Sequence, residues 1–207
     1  MGNHLDQAIL AVTPVVVAPK FGVFENIGTN AQRYIVGAEG LFLEVRRPWL
    51  HVVHRVAATS ASAPTPYGAV RESTKVLCGI PPAAMLERFM HECVEEAPDE
   101  HAAWITWHER TGQFRYRPIS GVATPDSITF QRPELEEGEW CVLDMHSHGN
   151  GHAFFSGQDD RDDFGEVKQA LVLGRVLANP SFIGRLCVLG NFIRFNPWIE
   201  VQQKEAA

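Results

Sequence analysis

The chain has 207 residues, 45% of them hydrophobic and 21% charged, the balance of a globular protein of one domain or one domain with a substantial extension. A formal net charge of -7 argues against nucleic-acid binding, because phosphate contacts need clustered Lys and Arg, and the short basic pair Arg46-Arg47 reads as a solvated strand end. No apolar run approaches the roughly 18 residues that span a bilayer, and the opening MGNHLDQAIL lacks the basic region of a secretory signal. A cytoplasmic protein with no membrane partner is therefore expected. Cys78, Cys93, Cys141 and Cys187 are far apart, form no C-x-x-C pair and sit in apolar runs, so they read as buried reduced thiols and not as a disulfide framework.

Up to about residue 75 the chain reads as short strands. VTPVVVA, QRYIVGAEG, LFLEVRR and LHVVHRVA are rich in Val, Ile and aromatics, with Gly and Pro between them. Ala58 to Gly68, ATSASAPTPYG, is the best loop or linker segment. A helix follows Pro81 and Pro82, with Met85, Leu86, Phe89, Met90, Cys93, Val94 and Ala97 at i, i+3, i+4 spacing, and Pro98 stops it. Strands are then expected at AAWITW, FRYRPI and SITFQR, an exposed acidic loop at PELEEGE, a long strand at WCVLDMHSH, an acidic turn at DDRDD, and strands at QALVLG, GRLCVLG and FIRF. With a second short helix, this pattern predicts an α/β fold around a mixed sheet. Residues 1–75 would form a β-rich extension that recognises a partner or substrate or extends the sheet, and residues 76–207 the main domain.

The informative stretch runs from Asp144 to Asp159. In a strand, alternate side chains share a face, so His146 and His148 point the same way. Two imidazoles at a strand end are a ready pair of zinc ligands; alone they are equally compatible with a satisfied structural pair. The turn Gly149-Asn150-Gly151 lets the chain reverse, so that Asp159 can present a carboxylate to the same point. Two His, one Asp and an open position is the pattern of catalytic zinc. Ser156 lies in the loop three residues before Asp159, where its hydroxyl could donate to a developing oxyanion. Ser147 reads as a hydrogen-bonding residue of the strand end, Asp144 as a support for the ligands or a buried structural group, and Asp160, Asp162 and Asp163 as acids favoured by a helix N-terminus.

His146-Ser-His148, seven residues, Ser156, two residues and Asp159 reproduce the pattern H-[ST]-H-x7-S-x2-D, so this stretch resembles the JAMM (JAB1/MPN/Mov34) metallopeptidase family. The resemblance implies a bound Zn2+, a JAB/MPN-type, cytidine-deaminase-like mixed β-sheet flanked by helices, and hydrolysis of a peptide or isopeptide bond. It also implies an upstream glutamate base. Pro98-Asp99-Glu100-His101 resembles the P-x-E segment of bacterial JAB domains, which places the base at Glu100, with Glu95 and Glu96 in the preceding helix as alternatives. His101-Ala102-Ala103 departs from the Cys-Gly that often follows that glutamate. GLFLEVRRPWL, LCGIPPAAMLERF, DMHSHG and AFFSGQDDRDD are similar to JAB-containing proteins of the plasmid PRTRC cassette. That similarity implies a ubiquitin-like protein substrate and an E1/ThiF-like partner. The competing reading is an idle MPN-like scaffold or protein-binding module that retains a metal. A zinc nucleoside deaminase would need H-x-E followed by P-C-x-x-C, and neither is present.

Overall fold

The computed structural model describes residues 3–60, 62–125 and 127–195. The chain divides into two compact units, Met1–Gly79 and Ile80–Ala207. The first begins with helix α1 (His4–Val12), whose N-terminus is capped by Asn3 accepting from Leu5 N. Strands β1 (Val15–Val17), β2 (Ala31–Gly37), β3 (Gly40–Arg47), β4 (Leu50–Ala58) and β5 (Ser73–Val76) pair in that order into one sheet. The pairs are antiparallel except β1 with β2. Ile35, Phe42, Leu43, Val45, Leu50 and Val52 are fully buried.

Two elements of this unit, α1 and β5, lie outside the strand segments expected from the sequence. No residue of α1 is buried, so no core-facing stripe announces the helix; its signals are Asn3 and the first-turn Asp6. The polar β5 lacks the Val/Ile enrichment that marks a strand. The boundary expected after residue 75 falls inside β5, where Val76 pairs with Leu50. The Ala58–Gly68 segment leads from β4 towards β5, within the first unit.

The second unit opens with α2 (Ala83–Glu96), which starts after Pro82 and buries Phe89 and Cys93. Then come β6 (Ala102–His108), β7 (Phe114–Ile119), a hairpin of β8 (Gly121–Thr124) and β9 (Ser127–Phe130), and β10 (Glu139–Ser147). The chain continues as α3 (Gly157–Asp163), β11 (Val167–Gly174), β12 (Ser181–Val188) and β13 (Asn191–Phe195). The main sheet has the order β13-β12-β11-β10-β6-β7, and the hairpin stands as a separate sheet. β10 and β11 run parallel; the other pairs are antiparallel. The fold is thus mixed α/β. A parallel pair needs a crossover, and α3 supplies it. DDRDD, expected as a turn, forms most of α3.

β6 is buried along nearly its whole length, as a central strand covered on both faces must be. β10 places Val142 and Met145 in the core. The expected acidic loop before β10 is exposed over most of its length, but Glu139 is buried, accepting from Thr106 Oγ1 and from both Nε and Nη2 of Arg117. These partners hold its carboxyl below the usual carboxylate range against the opposing effect of burial. No helix among the described residues is long and apolar enough to cross a membrane.

Candidate metal centre

The crossover leaves the sheet at the carboxyl ends of β10 and β11, where open α/β sheets present their crevices. His146 is in register with Ala102 on β6 and Val172 on β11. His148 follows the strand, with its N–H donating to Leu173 O. The two Nε2 atoms face each other at 3.1 Å, and His146 Nε2 lies 3.5 Å from Asp159 Oδ1. The three ligand atoms lie within 4.8 Å of one another, and among the described residues this is the one such His/Cys/Asp/Glu group.

Two of the three side chains are held by their second polar atom. His148 Nδ1–H donates to the His152 carbonyl (3.0 Å), which leaves the Nε2 lone pair pointing at the shared point. Asp159 Oδ2 accepts from Ser156 N (2.6 Å) and Ser156 Oγ (2.7 Å), which turns Oδ1 towards His146. Ser156 Oγ also accepts from Asp159 N, so the pair forms a complete capping box on α3. Burial lowers the pKa of His146, against the pull of Asp159, and keeps its imidazole neutral with a lone pair to share. Tetrahedral ligands at about 2.0–2.1 Å from one ion stand roughly 3.3 Å apart. The observed 3.1 and 3.5 Å bracket that separation, so these residues fit a four-coordinate divalent cation.

Two glycines shape the ligand loop. At Gly149 (φ 48°) a Cβ would stand 2.2 Å from the Pro98 carbonyl oxygen, so only glycine lets the loop lie against the segment that carries Glu100. At Gly174 a Cβ would meet Ala153 N at 2.2 Å. Ser147 joins the same two segments: its N–H donates to His101 O (2.8 Å) and its Oγ accepts from His101 N (2.9 Å). Beyond His101, Glu92 on α2 grips the imidazole Nε2 at 3.0 Å.

A cavity of about 600 Å³ opens on the three ligand atoms, and Glu100 and Ser156 are in its wall. Glu100 is buried, with its backbone N–H donating to Thr124 O on β8. Glu95 and Glu96 are exposed on α2 and line no part of this cavity. Phe154 packs edge-on to His148 with ring centroids 4.6 Å apart and is 52% exposed. His152 meets Arg175, and its carbonyl holds His148.

Reading the sequence misses Lys168 and Arg185. Lys168 on β11 meets both Asp144 and Asp163 (2.7 Å). Arg185 on β12 donates through Nη2 to Asp163 Oδ2 (2.7 Å) and through Nη1 to Asp160 Oδ1 (2.5 Å). Asp163 is therefore a buried, paired acid and not a solvated first-turn charge. The available signal was one cation in each of two otherwise apolar strands, since a buried Lys or Arg requires a partner.

The fold and site define a mixed α/β domain with a two-histidine, one-carboxylate cluster at the end of a parallel strand pair. Residues 82–186, just over half of the chain, match the family described as prokaryotic homologs of the JAB domain, and the chain belongs to that family. Residues 3–77 match a domain of unknown function, DUF2016. Among solved structures, the solution structure of protein DSY2949 from Desulfitobacterium hafniense is similar at 14% identity and a TM-score of 0.42, over 55% of this chain and 86% of that one. No curated protein matches the chain.

Proposed function

We propose that the chain is a cytoplasmic zinc-dependent peptidase or isopeptidase of the JAMM type, built on a cytidine-deaminase-like core. The observation that carries this reading is the convergence of His146 Nε2, His148 Nε2 and Asp159 Oδ1 on one point of a cavity whose wall also holds Glu100 and Ser156. Zinc held by those three atoms would polarise a carbonyl and lower the pKa of a water towards about 7. Glu100 accepts the proton of the attacking water and delivers it to the leaving amine. Ser156 Oγ exchanges its bond to Asp159 for one to the developing oxyanion, while Ser156 N keeps hold of Asp159 Oδ2. Phe154 offers an apolar, half-exposed surface to the chain being cut.

A ubiquitin-like tail as substrate, and an E1/ThiF-like partner, rest on the similarity of four segments to the PRTRC cassette proteins. Residues 1–75 are proposed to recognise a partner or substrate. Incubating the zinc-loaded protein with the other cassette proteins, with products read by mass spectrometry, tests the substrate class. A defined cleavage that disappears in Glu100→Gln is expected.

One observation favours a second reading. The capping box engages Ser156 Oγ with Asp159 Oδ2 and Asp159 N, as in a purely structural loop. An idle scaffold would bind zinc and cleave nothing. Turnover by the wild type, lost in Glu100→Gln with zinc content and melting temperature retained, decides for the enzyme.

A further inference from the structure

Asp159 stands on a helix of only seven residues, too short to hold itself in water. Something must fix α3 against the strand that carries His146. The buried charges behind the centre run between these two elements. Asp144, two residues before His146 on β10, accepts from Lys168 on β11. Lys168 bridges to Asp163 on α3, and Asp163 accepts from Nε (3.2 Å) and Nη2 (2.7 Å) of Arg185 on β12. Arg185 reaches on to Asp160, the neighbour of Asp159. Its guanidinium lies between the rings of Phe155 and Phe192, at 3.9 and 4.0 Å from their centroids. Phe155 directly precedes Ser156, the N-cap of α3. Arg185 therefore grips the helix at its entry, its first turn and its last residue. The side chains of Lys168, Asp163 and Arg185 are 6%, 7% and 4% exposed, so the middle of the ladder is dry and its geometry stiff.

We infer that the ladder Asp144–Lys168–Asp163–Arg185–Asp160 is a positioning device that sets the distance between His146 and Asp159, with Arg185 as its key residue. This rests on the metal-centre reading above. None of the five is a metal ligand in that reading. Their effect passes through the backbone of α3, which a planar guanidinium that donates twice to Asp163 Oδ2, once to Asp160 and stacks on two rings fixes and an ammonium does not. The ladder thus predicts a metal-affinity phenotype from residues that touch no metal.

The test measures zinc affinity by competition with a chromophoric chelator, and the visible spectrum of the Co2+-substituted protein, for the wild type, Arg185→Lys and Asp160→Asn. Melting temperatures of the metal-free proteins are measured alongside. Arg185→Lys keeps the buried charge but loses the fork and the stacking, and zinc binding is expected to weaken about 10- to 100-fold, the range for residues that orient metal ligands. The Co2+ spectrum should change with it. Asp160 is half-exposed, so Asp160→Asn leaves the metal-free melting temperature unchanged; a weakening of about threefold or more is expected from the lost charge-assisted bond. Wild-type affinity in both variants, or in Asp160→Asn alone if Arg185→Lys does not fold, overturns the inference. A wild type that binds neither zinc nor Co2+ overturns the metal-centre reading and the inference with it.

Discussion

Each unit of this protein buries a carboxylate among basic side chains, and the two clusters do different work. In the first, Glu44 on β3 accepts from Arg33 on β2 (2.6 Å) and meets His51 on β4 (2.8 Å). Arg33 and Glu44 are direct cross-strand partners, so the cluster is a row across three adjacent strands that fixes their register. In the second, Asp163 joins helix α3 to the two adjacent strands β11 and β12, and its neighbours Asp144 and Lys168 border the cavity. Burial and ion pairing alone therefore do not mark a site. What separates the clusters is that one is closed within its sheet and the other faces a cavity with three converging ligand atoms.

The sharpest way to test this contrast is at the cavity. Glu100→Gln is expected to lower turnover by roughly 10²- to 10⁴-fold with zinc stoichiometry unchanged, as measured by peptide cleavage and elemental analysis. Full activity would remove the base from the cavity wall. In the sheet, Arg33→Met strands Glu44 without its strong partner and is expected to cost about 3–5 kcal/mol in denaturant unfolding, with no change in zinc affinity. A matching loss of zinc binding would erase the distinction between the clusters.

Acid should separate them further. Lys168 and Arg185 hold Asp163 below the usual carboxylate range although burial pushes it up. A depressed folded value means that its contribution is present above about pH 4 and lost as pH falls through the folded value. The stabilities of the wild type and Asp163→Asn should differ at pH 7, begin to converge below about pH 4 and meet only below the folded value of Asp163. The smallest effect is expected at Ser147. Ser147→Ala leaves His101 N without its acceptor, costs about 1 kcal/mol, and lowers kcat more than it raises KM; Ser147→Thr restores the bond. Equal kinetics in all three proteins would show that the tie to the Glu100 segment is idle.

The local half of this architecture was legible from the residues. Runs rich in Val, Ile and aromatics announced β2, β3 and β4, apolar runs announced β6 and β10, and the stripe ending at Pro98 announced α2. The pattern from His146 to Asp159 brought the three ligand atoms to one place because it lies on a single strand, turn and short helix. The long-range half was hidden. Asp163 finds Lys168 and Arg185 only through the crossover and the antiparallel turn that follows, five and twenty-two residues downstream. Glu100 reaches the cavity because Gly149 lies on Pro98, a contact between segments some fifty residues apart. Alternation and spacing report on neighbours along the chain; they carry no information on which strand ends meet. α1 escaped for the opposite reason, because it buries nothing that a periodic pattern could reveal.

The alternation of β10 has a consequence for how the centre comes into being. His146 and His148 share one side of the strand, and Ser147 points to the other, into its bond with His101. A slip of one residue against β6 or β11 would turn both imidazoles away and aim a hydroxyl at the cavity. No intermediate register offers half a centre. On the proposed metal-centre reading, ion capture would be a readout of correct strand pairing, and a chain that has mispaired β10 during folding would remain silent to metal until it had unzipped and started again.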